Sequence, residues 1–402
     1  MAQRAEPVLV VGAGIAGLAT ALALAQRGIG SRLVEQSPGP RLTGAGLQLA
    51  PNAVRILKAL GLAKALKERS FAPTALCIRD FQTHREIGRL PLGARCQTRY
   101  GEHYLTIHRG DLIQALLSRV QEMGIHIEWS CKPSVSKSSR PDPLISIADE
   151  PVRAPVIVGA DGVWSSLRAA VPAAQGPVET GQEALRAVID KPVVTQDKTF
   201  SSDVTVWTRP GLHVVGYPIR GGESYSLVVI RDQQTSAKKD WDHSLSTEEV
   251  APIFEKSRGF LRDLFEQAPG WQSWPLMASS PLPSGRGLGQ GRVALVGDAA
   301  HPLRPHLAQG AAMALEDAWR LADSLAWRDY RLDNPEEAIA RYADQRWRRV
   351  SRVQRQSARS GRIFQLGGMM ASARNFALRL APIPLMDQPW LYRVSEASSR
   401  EH

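Results

Sequence analysis

Three carboxylates in this 402-residue sequence stand at the ends of short strand-like runs, two of them wholly apolar. Glu35 closes Ser31-Arg-Leu-Val, Asp161 follows Val156-Ile-Val-Gly-Ala, and Asp298 follows Val293-Ala-Leu-Val-Gly. An apolar run of that length fits a buried strand, and open α/β sheets bind ligands off the carboxyl ends of their strands. Beyond Asp298, Pro302 and Pro305 shape a loop, and Gln309-Gly310-Ala311 opens a segment with Met313, Leu315, Ala318, Leu321, Ala322 and Leu325 at helical spacing. A helix N-terminus offers free N–H groups and partial positive charge. A carboxylate beside such an end suits a ligand with both hydroxyls and anionic oxygens.

Glu35 completes the most specific pattern. Pro7 to Val11 reads as a strand, Gly12-Ala-Gly14-Ile15-Ala16-Gly17 as a turn, and the residues to about Gln26 as a helix stopped by Gly28. Ser31 to Glu35 is then the second strand, ending in an acid about 20 residues on. Glycines at 12, 14 and 17 permit a tight turn and close approach of a pyrophosphate to the helix end, with Ile15 and Ala16 in the same turn. The Glu35 carboxylate can accept from both ribose hydroxyls. This predicts a dinucleotide site and leaves NAD and FAD both open. In the next stretch, Arg41 through Asn52, Arg41 can pair with a pyrophosphate and Gln48 can face a ring system.

The elements that must hold these residues fall into two patterns. Helices are expected over Ala53 to Ala65, broken near Gly61, and over Leu112 to Met123, with Asp111 at the cap. Ile125 to Trp129 returns as a strand, and Val135 to Asp149 reads as a surface excursion with a short strand at Leu144-Ile147. Ser165, Ser166 and Arg168 enter a helix after Asp161-Gly162. Residues 73 to 98 resemble an antiparallel hairpin, and from about 178 to 280 alternation of period two predicts an antiparallel sheet inserted into the first domain. Within it, His213 and Tyr217 lie on one sheet face. A helical piece spans Thr247 to Ala268, a long helix Pro335 to Arg362, and an irregular surface tail runs from Leu380.

The fold class is therefore α/β, a Rossmann-type domain with a mostly parallel sheet, an inserted antiparallel-sheet domain and a C-terminal helical segment. Boundaries fall at 1–72, 99–176 and 281–334 for the dinucleotide-binding parts, 73–98 and 177–280 for the insert, and 335–402 for the helix and tail. A formal charge of +11 favours anionic ligands. The Arg-rich long helix invites a nucleic-acid partner, but Ile339, Tyr342, Trp347, Val350 and Val353 give it an apolar face, the mark of a helix on a core with solvated arginines outside. Cys77, Cys96 and Cys131 form no paired motif, so neither a metal site nor a disulfide framework is indicated, and a reducing cytoplasm is the simplest home. No run approaches bilayer-crossing length, and no stable membrane association is expected.

Three motifs in this order, GAGIAG with Glu35, VGADG with Ser165 and Arg168, and VGDAAHP with QGAAMALEDA, resemble the group A FAD-dependent aromatic monooxygenases, the p-hydroxybenzoate hydroxylase fold. Together they span nearly the whole chain. PHLAQGAAMALEDA is most similar to the salicylate hydroxylase, 3-hydroxybenzoate 6-hydroxylase and 6-hydroxynicotinate 3-monooxygenase branch.

The resemblance implies FAD, with NADH or NADPH and O2 as co-substrates, and hydroxylation of a small aromatic ring through a flavin C4a-hydroperoxide. It places Gly12, Gly14 and Gly17 on the pyrophosphate, Glu35 on the ribose, and Arg109 along the adenosine and pyrophosphate. Asp298 falls on the ribityl chain, and Gln309, Gly310 and Ala311, after Pro305, on the isoalloxazine. Asp161 takes a structural role beside the two nucleotides. A base should help deprotonate the ring hydroxyl, and His213, with Tyr217, is the candidate. Relatives in this branch often have a histidine directly before that tyrosine, where this chain has Gly216. His301 and His306 flank the flavin loop as ordering residues. The implied partners are a small aromatic substrate and O2, no nucleic acid, and at most a second copy of the chain, as a homodimer. An FAD oxidoreductase of the same fold acting on a larger or non-aromatic substrate is the alternative, and a flavin-containing nucleic-acid-associated protein a weaker one. Trp271-Gln-Ser-Trp274-Pro275 only partly matches the flavin-halogenase WxWxIP motif, lacking its isoleucine and its spacing.

Overall fold

A computed structural model describes residues 6–136, 144–147, 150–190, 202–233, 243–327 and 334–393. Two large sheets organise it. The first has six strands in the order Gly289–Gln290, Val293–Leu295, Ile157–Gly159, Val8–Val11, Ser31–Val34 and Ile127–Glu128. All its pairings are parallel except the one at the Gly289 edge. Val8 to Val11 are buried throughout, as a parallel strand covered on both faces must be. Helices Ile15–Ala25, Arg109–Glu122 and Gly310–Leu325 share one apolar core with this sheet.

The second sheet has eight strands, in the order His243–Leu245, Trp271–Ala278, Val178–Asp190, Ser224–Asp232, Leu212–Ile219, Val204–Arg209, Ala75–Asp80 and Glu86–Pro91. The expected hairpin at 75–91 is thus part of the inserted sheet, joined to it by the one parallel pairing, Val204–Arg209 with Ala75–Asp80. The pleat sorts the faces. Leu212, Val214, Leu185 and Ala187 join a back core under the helices Thr247–Phe254 and Gly259–Glu266, whereas Val215, Tyr217 and Ile219 join the front core with Met313, Leu303 and Leu307. The front face therefore looks toward the loop after Asp298.

The helix at 53–65 is broken near Gly61 as expected, into Pro51–Ala59 and Ala63–Arg69, with Gly61 at φ +91° between them. Other expectations are corrected. The helix expected from Leu112 starts at Arg109, and its cap is His108 rather than Asp111, with His108 Nδ1 accepting from Gly110 N at 3.2 Å. Residues 165–168 lead only into a short 3-10 turn, Leu167–Ala170, and 247–268 divides into two helices. Of the supposed surface excursion, Ile145 and Ile147 are buried in the main core; residues 137–143, 148 and 149 lie outside the described set.

The tail is also ordered. Short helices at Pro382–Met386 and Pro389–Tyr392 bury Met386, Leu391 and Tyr392. Buried Asp387 accepts from Tyr100 Oη and pairs with Arg95 at 3.0 Å and Arg99 at 3.4 Å. No helix among the described residues is long and apolar enough to cross a membrane. Asp387→Ala removes the shared acceptor of these three side chains. It should lower unfolding free energy by about 1–3 kcal/mol, read from the urea midpoint, because Tyr100 loses its buried partner while both arginines still reach solvent.

Candidate active site

The first helix end is built to receive an anion. Gly12 sits at φ +104°, and a Cβ there would lie 2.4 Å from the Ala160 carbonyl oxygen; a Cβ on Gly17 would lie 1.8 Å from the Gly12 carbonyl oxygen. Neither position admits a side chain. Gly14 meets nothing within 4 Å, which leaves open space above the helix start. Helix Ile15–Ala25 has no side-chain cap and no acid in its first turn, so its first N–H groups stay available. Glu35 holds the turn in shape. Its carboxylate accepts from Ala13 N at 2.8 Å and from Ser37 N at 2.9 Å, and its remaining lone pairs can still take hydroxyl donors.

Behind that turn the other two carboxylates and their arginines form the cleft floor. Asp161 accepts from Ser166 N at 2.7 Å, Ser166 Oγ at 3.1 Å and Leu167 N at 3.3 Å, so it fixes the turn after its own strand. Arg168 then donates to Ala299 O, Val163 O and Asp298 O, each at 3.0 Å, and pins the Asp298 loop to that turn. The Asp298 side chain opens onto the cleft. Surrounding protein raises its carboxyl above the ordinary range, while His301, Arg109 and Arg168 oppose the shift. Arg109 begins the helix Arg109–Glu122, and its side chain lies beside Gly44. Exposed Arg41 is a like-charged neighbour of Arg109, and its Nε donates to Ser37 Oγ at 3.0 Å.

Gln309 is buried at the start of helix Gly310–Leu325, which also lacks a side-chain cap and an acid in its first turn. Ala308 adopts φ +53° just before it, and Pro305 opens a short 3-10 turn. The polar groups that fix this end were not identified from the sequence. Asn52 Nδ2 donates to Gln309 Oε1 at 3.1 Å and to Glu316 Oε1 at 2.8 Å. Glu316 also takes Arg346 at 2.5 Å and Arg349 at 2.6 Å. Asp317 takes Arg346 Nε at 2.7 Å, His301 Nε2 at 2.5 Å and Gly297 N at 2.9 Å. Arg346 is only 3% exposed, so the long helix does not keep all its arginines in water as its pattern suggested. The available signal was Glu316-Asp317 inside an otherwise apolar helical face, which demanded buried cations.

On the front face of the large sheet, His213 is wholly buried, its ring 5.2 Å from His306 and 5.3 Å from Phe364. Both His213 ring nitrogens are without a hydrogen-bond partner among the described residues. Burial, and then the neighbouring His306, push its pKa well below the ordinary histidine value. Burial and then Arg304 bring His306 down to about 4. Tyr217, two residues on along the same face, donates to Gly46 O at 2.7 Å. Gln48 accepts from Tyr104 Oη at 2.7 Å at the edge of this space. Position 216 faces the other way: a Cβ there would lie 2.7 Å from Tyr225 and 2.9 Å from Trp207. A histidine at 216 would enter the back core, so its absence removes nothing from the front face.

Comparison with known proteins decides the cofactor. Residues 5–357 match the family model described as an FAD binding domain. The chain belongs to that family. It is 33% identical over 371 residues to a 3-hydroxybenzoate 6-hydroxylase of Aquipseudomonas alcaligenes, covering 92% of each chain. With a 6-hydroxynicotinate 3-monooxygenase of Bordetella bronchiseptica it shares 35% over 355 residues, 87% of this chain and 90% of that one. A 3-amino-4-hydroxybenzoate 2-monooxygenase of Streptomyces platensis is 35% identical over 97% of this chain and 96% of its own. The fold matches a salicylate hydroxylase substrate complex with a TM-score of 0.78 at 24% identity, covering 95% of each chain.

The residues of this flavoprotein fit FAD. An uncapped helix end beneath an open glycine turn would suit a pyrophosphate, and a second uncapped end at Gly310 and Ala311 would suit the electron-rich edge of a flavin. Glu35 and Asp298 stand between as hydroxyl acceptors.

The acid network carries a pH prediction. Burial alone would raise the Glu316 and Asp317 carboxyls, but Arg346 with Arg349, and His301 with Arg346, reverse the sign and hold both below the ordinary range. Their stabilisation is present above a pH of about 4 and lost as pH falls through the lowered values. Arg346→Met strands two buried carboxylates and should cost about 3–5 kcal/mol at neutral pH. The gap from wild type, read by urea unfolding, should narrow as pH falls through about 4 and the carboxyls protonate.

Proposed function

We propose that this flavoprotein is a monooxygenase that uses NADH or NADPH and O2 to hydroxylate a small aromatic compound bearing a ring hydroxyl. The observation that carries this reading is His213, a neutral imidazole on the front sheet face whose ring nitrogens have no hydrogen-bond partner among the described residues. The relatives named above act on 3-hydroxybenzoate, 6-hydroxynicotinate and 3-amino-4-hydroxybenzoate, each a ring with a hydroxyl.

Bound FAD would supply the electron transfer from the nicotinamide and the activation of oxygen. The chain's own residues handle the substrate and its proton. A neutral phenol is a weak nucleophile, and an unprotonated imidazole within reach can take its proton as the ring is attacked. Positioned bases of this kind contribute about 10²–10⁴ in rate. Since His213 is held far below its ordinary pKa, it stays in the base form at neutral and mildly acidic pH. Tyr217 is fixed by its bond to Gly46 O. Asn52 occupies the Gln309 carbonyl oxygen, leaving the amide N–H groups free to donate. Val206, Val215, Leu303, Leu307 and Phe364 line the front core and keep water from the reacting ring.

Stopped-flow reduction by NADH and NADPH, over a panel of hydroxybenzoates and hydroxypyridines, tests the reading. A ligand that speeds flavin reduction should emerge with one added oxygen. His213→Gln should keep ligand-stimulated reduction but form hydroxylated product about 10²–10⁴ times more slowly. Normal hydroxylation by this variant across pH would remove His213 as the base.

A further inference from the structure

Arg186 lies on the same front face and has no anionic partner among the described residues. It stands on strand Val178–Asp190 between Leu185 and Ala187, both of which point into the back core, so its own side chain projects forward. The register places it beside Val228, and Val228 beside Val215, the residue between His213 and Tyr217. Two inter-strand steps, roughly 10 Å, separate the Arg186 strand from that of the two site residues. The guanidinium lies 3.9 Å over the Trp274 ring. Its Nε is buried without a hydrogen-bond partner.

Two other buried or half-buried arginines are neutralised, Arg346 by Glu316 and Asp317, and Arg231 by Glu183 at 2.7 Å. Arg168 is satisfied by three carbonyls. Arg186 alone of these faces the substrate space with donors unspent. Burial, and then the like charge of Arg109, bring its pKa down to about 10, so it remains a cation at neutral pH. A half-buried cation with free donors is poorly solvated until an anion arrives, and a planar guanidinium best matches a planar carboxylate, with two parallel N–H···O bonds. The Trp274 face holds that plane in orientation and adds cation–π attraction.

We infer that Arg186, seated on Trp274, receives a carboxylate carried by the aromatic substrate, with the ring lying across Val228 and Val215 and its hydroxyl toward His213. This assignment rests on the monooxygenase reading for its aromatic ring, but its test needs no turnover. The FAD-loaded protein is titrated with 3-hydroxybenzoate and 3-hydroxybenzamide, and with 6-hydroxynicotinate and 6-hydroxynicotinamide, following the flavin absorbance change.

In at least one pair the acid should bind about 10- to 100-fold more tightly than its amide, as expected for a charge-assisted contact. Arg186→Met should abolish that gap by weakening the acid alone, and Arg186→Lys should restore part of it. The dissociation constant for FAD, measured on apoprotein, should not change in either variant. A gap that survives in Arg186→Met overturns the assignment, as does wild-type protein that binds neither member of either pair. Loosened FAD with unchanged acid selectivity would overturn it too, giving Arg186 to the cofactor. Acid selectivity that depends on Arg186 without any hydroxylated product would instead sink the monooxygenase reading and leave the carboxylate subsite standing.

Discussion

The structure depends on two adjacent buried acids, Glu316 and Asp317, in one turn of the helix Gly310–Leu325. Carboxylates at that depth are tolerable only if every lone pair is answered. Asp317 is answered by Gly297 N, His301 and Arg346, which tie the strand end, the flavin loop and the long C-terminal helix to one atom group. Glu316 is answered by Arg346, Arg349 and Asn52, and Asn52 reaches on to Gln309. Arg349 also donates to Trp390 O at 2.8 Å and Leu391 O at 2.9 Å, so the tail hangs from the same cluster. Both the cofactor-facing helix end and the covering segment are thereby referenced to one point. In such a network a lost member leaves its partners charged and dry, and the damage spreads beyond one contact.

This also explains which parts were legible in the sequence. The glycine turn could be read because close backbone approach leaves no substitute: Gly12 and Gly17 each sit where a Cβ would strike a carbonyl. The switch of hydrophobic period from 3.6 to 2 near residue 178 marked the large sheet because its front and back cores demand alternation. By contrast, Asn52, Arg346 and Arg349 gain their meaning only from Glu316 and Asp317, between 29 and 264 positions away in the chain. No local pattern reports such a pairing. The tail misled for a similar reason. Its prolines at 382, 384 and 389 signal irregular chain, whereas two of them occupy first-turn positions of short helices held by Asp387 and by Arg349.

The net charge of +11 says little until it is divided. Part of it is spent inside, on Glu316 and Asp317. Another part lines the cleft: Arg41 and Arg109 sit near the first helix end, and Arg168 under Asp298. Asp298 opens onto this space, and the protein packed around it works against its charge. A cleft with that balance would suit anions such as a diphosphate or a reduced flavin, and its two carboxylates would accept from hydroxyl groups.

The large sheet also shows why glycine at position 216 leaves the front face unchanged. Side chains alternate along Leu212–Ile219, so a site residue must keep the parity of His213 and Tyr217. Position 216 has the opposite parity and is filled by Trp207 and Tyr225 from the back core. A search for a catalytic group beside Tyr217 in sequence therefore looks through the sheet to its far side. The search in space looks four residues back, where His306 and Phe364 hold the His213 ring and nothing among the described residues takes its nitrogens. Strand parity, rather than proximity in sequence, decides which residues share a face.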